Sequence, residues 1–119
     1  MKLKEIVDKL NLEVKTPALN LERKVSGGYV SDLLSDVIAN ARQDNIWITL
    51  QIHQNIVAVA VLKELAGIII VNGRSPEDEV LKKAEEENIP IILTGLPSFE
   101  IVGRLYNLGI RGINDAKGV

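Results

Sequence analysis

Two short apolar runs govern what this chain can fold into. Gly67-Ile68-Ile69-Ile70-Val71 and Ile89-Pro90-Ile91-Ile92-Leu93 are continuous in apolar residues, mostly β-branched. They are too short for ordinary helices and lack the polar alternation of a half-exposed strand. Such runs belong to strands covered on both faces, as in a parallel sheet. Between them, Ser75-Pro76-Glu77-Asp78 reads as an N-cap, a proline at the first helical position and acids at the positive helix end. That pattern predicts a helix over 76–88. A strand–helix–strand unit of this kind crosses over right-handedly and lays its helix on a sheet face.

The remainder of the chain extends the pattern. Leu3, Ile6, Val7 and Leu10 recur at the spacing of one helix face. Leu12-Glu13-Val14 alternates like a short strand, Pro17 breaks it, and Leu21–Val25 gives a second β-like piece ending at the Gly27-Gly28 turn. Ser31 or Asp32 can cap a second helix with a stripe of Leu33, Leu34, Val37, Ile38 and Ala41, and Asn45 near its end. Ile46–Leu50 is a strand by its β-branched and aromatic content. Asn55 can cap a third helix, Ile56–Leu65, apolar on nearly every side and ended by Gly67. Ser98 can cap a last helix, Phe99–Leu108, closed by Gly109. Periodicity stops there, so residues 1–110 are expected to form one domain and 111–119 a flexible C-terminal tail. The predicted class is α/β: a small, mostly parallel sheet of three to five strands with helices on its faces.

Length and charge narrow the function. The chain has 119 residues, close to the commonest domain size, which buries enough surface to need no metal or disulfide staple. Fourteen Lys and Arg against sixteen Asp and Glu give a formal charge of −2, which removes the general attraction to phosphate backbones. Nucleic acid is therefore not an expected partner, and no apolar stretch is long enough to cross a bilayer. With no cysteine and with charge throughout Met1–Glu5, the expected location is the cytoplasm. No cofactor is implied.

The carboxyl ends of the expected strands are rich in uncharged polar residues, and open parallel sheets bind ligands beyond those ends. Ser26, Gly27, Gly28, Ser31 and Asp32 follow one strand; Thr49, Gln51, His53, Gln54 and Asn55 the next. Asn72, Gly73, Arg74 and Ser75 follow the third, and Thr94 and Gly95 the last. A rim built from Gly27, Gly28, Gln51, His53, Asn55, Asn72, Gly73, Arg74, Thr94 and Gly95 would suit a small anionic ligand, such as a nucleotide or phosphorylated molecule. Helix N-termini would offer N–H groups and Arg74 a counter-charge. The competing explanation is that caps and turns require these residue types anyway.

His53 is the single histidine and lacks the neighbours a metal site needs. An enzyme using it with Gln51 or Asp32 is the remotest reading, and no phosphate-binding loop of the G-x-x-x-x-G-K-[ST] type occurs. Lys82, Lys83 and Glu85–Glu87 form a solvated helix face. The last helix carries Phe99, Val102 and Tyr106 in addition to Ile101 and Leu105. That is more apolar surface than one face requires, which marks either a dimer interface or packing within the monomer.

Three segments carry a resemblance: Val25 to Asn40, Trp47 to Ala60 and Ile68 to Arg74. Together they are similar to the DRTGG domain family, over roughly residues 1 to 110. The family's signature corresponds here to Asn72-Gly73-Arg74 and Thr94-Gly95-Leu96, without the aspartate and the second glycine. Members occur alone, beside nucleotide-sensing CBS domains in some pyrophosphatases, and ahead of phosphotransacetylase domains; the amino-terminal part of HPr kinase is similar in fold. The resemblance implies a non-catalytic, homodimerising regulatory module that binds a small ligand or a partner protein. A pure protein-interaction module is the alternative.

Overall fold

A computed structural model describes residues 1–113. The elements run α1 (Leu3–Leu10), β1 (Glu13–Val14), β2 (Gly27–Val30), α2 (Leu34–Asn40), β3 (Asn45–Thr49), α3 (Asn55–Leu62), β4 (Gly67–Ile70), α4 (Asp78–Glu86), β5 (Ile91–Leu93) and α5 (Ser98–Asn107). The five strands form one sheet in the order β1-β5-β4-β3-β2. β2 to β5 are parallel, and β1 adds antiparallel to β5 at one edge.

The isoleucine runs explain the layering. Every residue of β3, β4 and β5 is buried. Because side chains alternate along a strand, Trp47, Ile68, Ile70 and Ile91 pack with α2, α3 and α4, while Ile46, Ile48, Ile69 and Ile92 pack with α1 and α5. No helix among the described residues is long and apolar enough to cross a membrane.

Several boundaries differ from the sequence reading, each for a local reason. Leu21–Val25 is not a sheet strand. Instead the carbonyls of Arg23 and Leu21 accept from Leu3 N–H and Lys4 N–H, both at 2.9 Å, satisfying donors that the first turn of α1 leaves orphaned. The glycine pair opens β2 rather than ending a strand. A Cβ on Gly27 would lie 2.6 Å from the Arg111 carbonyl, and Gly28 N–H donates to that same oxygen at 2.9 Å. Glycine is present there because another stretch of backbone passes too close for a side chain.

Helix starts also shift. α4 begins two residues past Pro76, with extended Glu77 as its N-cap and no side-chain cap; Pro76 is itself buried. α5 is preceded by Pro97, so Ser98 is its first residue and not its cap, and Asn55 likewise opens α3 behind Gln54. α3 ends at Leu62, well before Gly67, and just beyond it Glu64 takes a left-handed φ of 53°. Gly67 starts β4, where a Cβ would lie 3.2 Å from the Pro90 carbonyl. In α2 the stripe is narrower than its composition implies, because Leu33 and Ile38 are exposed, and Asn45 opens β3. Gly109, with φ of 100°, closes α5, and buried Ile110 donates its N–H to Leu105 O at 3.1 Å. Arg111 and Gly112 then lie along β2. Residues 114–119 of the expected tail lie outside the described ones.

The glycine argument is testable by denaturant unfolding. Gly27→Ala should lose about 1–3 kcal/mol, as overpacking against fixed backbone does. Gly95→Ala, with nothing within 4 Å of the added atom, should stay within about 0.5 kcal/mol of wild type. Equal losses at the two positions would remove the close-approach explanation.

Candidate functional site

The shared direction of β2, β3, β4 and β5 brings the loops after them to one edge of the sheet, where Asp32 organises the first two. Its Oδ1 accepts from Thr49 Oγ1 and from Leu50 N–H, both at 2.9 Å, and its carbonyl accepts from Gln51 Nε2 at 2.9 Å. Gln51 N–H in turn donates to Thr49 Oγ1 at 3.1 Å. The guanidinium of Arg74 donates to Leu50 O. Gly73 N–H donates to Thr94 O and Asn72 N–H to Leu96 O, each at 3.0 Å. Asn72 and Gly73 make this tight approach with left-handed φ angles of 62° and 68°, which asparagine and glycine tolerate best.

Gln51, Asn72, Gly73, Arg74 and Thr94 are therefore joined in one belt of hydrogen bonds, with exposed Gly95 beside Thr94. The belt consumes much of their bonding capacity internally, and Asp32, read in the sequence mainly as a helix cap, is its hub. His53 and Asn55 sit further along the same edge, where Asn55 N–H donates to His53 Nδ1 at 3.4 Å. His53, Gln51 and Gln54 line a cleft of about 400 Å³ whose other wall carries Glu77 and Glu79. Carboxylates there oppose an anion at the His53 end, leaving the Arg74 end as the cationic part. Among the described residues no group of three or more His, Cys, Asp or Glu side chains could hold a metal ion.

Gly27 and Gly28 are separated from this rim. They pair with Asn45 and Ile46, at the amino end of β3, and Gly28 lines a different groove of about 240 Å³ between β2 and α5. Its walls include Val30, Val102, Leu105, Tyr106 and Ile110. The Arg111 guanidinium lies 3.9 Å above the Tyr106 ring and donates to the Tyr106 carbonyl. Of the α5 residues in the groove wall Tyr106 is 55 % exposed and Val102 half-buried, and on the same helix Phe99 is 88 % exposed. Ile110 and Arg111 were invisible as groove residues in the sequence because nothing local signals that the chain doubles back along β2.

A model of the DRTGG domain matches residues 5–108. The chain belongs to the DRTGG domain family. Among solved structures it is similar to the CBS and DRTGG domains of the regulatory region of Clostridium perfringens pyrophosphatase, crystallised with the activator diadenosine tetraphosphate. The TM-score is 0.71 at 24 % identity, covering 95 % of this chain and 50 % of that one, so this chain spans about half of the solved one. No curated protein matches the sequence. In this DRTGG domain the loops Asn72-Gly73-Arg74 and Thr94-Gly95-Leu96 interlock by backbone hydrogen bonds.

One polar cluster fastens β2 to α2. Tyr29 OH donates to the Asp36 carboxylate, at 2.9 and 2.8 Å from its two oxygens, and Asn40 Nδ2 donates to it at 2.8 Å. The Ser31 hydroxyl, then Tyr29 and Asn40, hold the Asp36 carboxyl below its ordinary range. Burial, followed by the same carboxylate, pushes the Tyr29 phenol up. A carboxyl depressed in the folded state contributes stability above the ordinary carboxylate range and loses it as pH falls through the folded value. Tyr29→Phe removes one donor and should move the Asp36 titration, followed by carboxyl NMR, to higher pH. An unchanged titration would mean that the phenol does not stabilise the charged form.

Proposed function

We propose that this DRTGG domain is a non-catalytic regulatory module that acts by association, forming a homodimer through the outer face of α5. The observation that carries this reading is the pair of aromatic side chains on α5, Tyr106 at 55 % exposure in the wall of an apolar groove and Phe99 at 88 % exposure seven residues before it. Exposed apolar surface rimmed by polar residues favours association, and a two-fold pair is the commonest closed arrangement. The regulatory role is supported by family membership and by the regulatory region in which the similar solved domain occurs. Light scattering should find a dimer for the wild type. Tyr106→Asp, with unchanged circular dichroism, should weaken it at least about tenfold, as loss of a central aromatic does. A wild type that stays monomeric at high concentration defeats this reading.

A second reading assigns the rim to a small anionic ligand, nucleotide- or phosphate-like, held by Gln51, Asn72, Gly73, Arg74, Thr94 and Gly95, with His53 and Asn55 at its periphery. The specific support is that three separate loops converge there around one exposed arginine. Calorimetry with adenine nucleotides, diadenosine tetraphosphate and inorganic phosphate tests it. Binding should occur and should weaken about tenfold or more in Arg74→Ala, the scale of a lost charge-assisted hydrogen bond. If none of these binds, the rim is a structural belt and the domain is an interaction module alone.

A further inference from the structure

The exposed face of α5 has an internal pattern that mere apolar excess does not require. Phe99, Val102, Gly103 and Tyr106 follow the i, i+3, i+4, i+7 spacing of a seam along one side of a helix. Gly103 stands inside α5, where glycine is the poorest helix former apart from proline. Nothing among the described residues explains it, because a Cβ built there meets no atom within 4 Å and its φ is not left-handed. The glycines at 27 and 67 are accounted for by backbone close to them; Gly103 calls for an equivalent neighbour from outside the chain.

Charge identifies that neighbour. Glu100 and Arg104 flank the seam on one side, acid toward the start of α5 and base toward its end, 3.9 Å apart within the chain. When two copies of one helix pack antiparallel about a two-fold axis, residues on the same flank face each other in reversed order. The Glu100 of each copy then meets the Arg104 of the other, so the surface is complementary to itself, as an isologous interface must be. The two macrodipoles are also opposed, which favours the arrangement.

We propose that two copies of this chain cross antiparallel along α5, with Gly103 at the axis and Phe99 of each copy seated against Tyr106 at the groove of the other. This rests on the homodimer reading and specifies its geometry. The groove between β2 and α5 is then incomplete in one chain, and its open side is closed by a ring from the second copy. The Arg111 guanidinium stacked on Tyr106 holds that ring in place to receive it.

The absence of cysteine from the sequence gives a clean test. Gly103→Cys, in otherwise intact protein under mild oxidation, should form a disulfide-linked dimer, which requires Cα atoms within about 7 Å. Lys82→Cys on α4 should not. Phe99→Cys mixed with Tyr106→Cys should give the mixed cross-link. Glu100→Arg should weaken the dimer at least about tenfold, and adding Arg104→Glu on the same chain should restore it, as reversed partners do when they face each other. If a dimer persists but Gly103→Cys does not cross-link and charge reversal changes nothing, the crossing is wrong while the dimer reading stands. A wild-type monomer overturns both and leaves the face to a different protein.

Discussion

Ile68 and Ile70 project from β4 into one apolar layer while Ile69 and Val71 project into the other, so the middle of this molecule has no solvent-facing side. That double burial is the constraint from which the rest follows. A parallel neighbour of such a strand is reached by a crossover through one of those layers, usually a helix, and here α2, α3 and α4 make those connections. Each of the three crossovers starts at the carboxyl edge and the loop after β5 leaves from it too, so four loops collect there irrespective of what they bind. Their backbone groups have lost the sheet ladder and must find partners. Asp32, Thr49, Gln51, Arg74 and Thr94 supply them. The rim is in the first place a structural solution, and any ligand uses what that solution leaves over.

This is why the layers were legible in the sequence while several boundaries were not. The Ile68–Ile70 and Ile91–Leu93 runs carry their environment in their own composition, since only a doubly covered strand can hold so many consecutive β-branched side chains. Gly27 and Gly28 carry no such information. The reason for them is the Arg111 carbonyl 2.6 Å from where a Cβ would stand, a contact made by residues at the far end of the chain. A glycine pair that adjoins no apolar run reads as a turn by default. Ser75 and Pro76 misled for the opposite reason: their local pattern is a good helix start, but Pro76 is buried and the backbone stays extended through Glu77. Tertiary packing overrode a capping preference worth only about 1 kcal/mol.

At the candidate site the sequence located the rim by topology alone, and Gln51, Arg74 and Thr94 do share one edge. Residue type could not tell which polar groups remain available. Gln51 reads as a free amide, yet its Nε2 is held by the Asp32 carbonyl; Asp32 reads as a cap, yet its carboxylate ties β3 to the loop after β2. The Glu77 and Glu79 wall opposite His53 was equally hidden, because α4 was expected to spend those acids on its own positive end.

What remains uncompensated is apolar. Among the described residues no buried side-chain nitrogen or oxygen lacks a hydrogen-bond partner, so the interior holds no polar group waiting for a ligand. Three outer helix surfaces expose carbon instead: Leu33 and Ile38 at α2, Val61 and Leu62 on α3, and Phe99 and Tyr106 on α5, where the most exposed ring stands. Beside α3, Lys83 and Glu87 are paired within their own helix at 3.3 Å, and the apolar face offers no glycine at which a second backbone could close in. On α5 the flanking pair is looser at 3.9 Å, an aromatic side chain stands almost wholly in water, and a glycine occupies the middle of the helix with no cause among the described residues. The exposed ring and the interior glycine are each unfavourable in an isolated chain, and the proposed close approach of a second α5 would relieve both together.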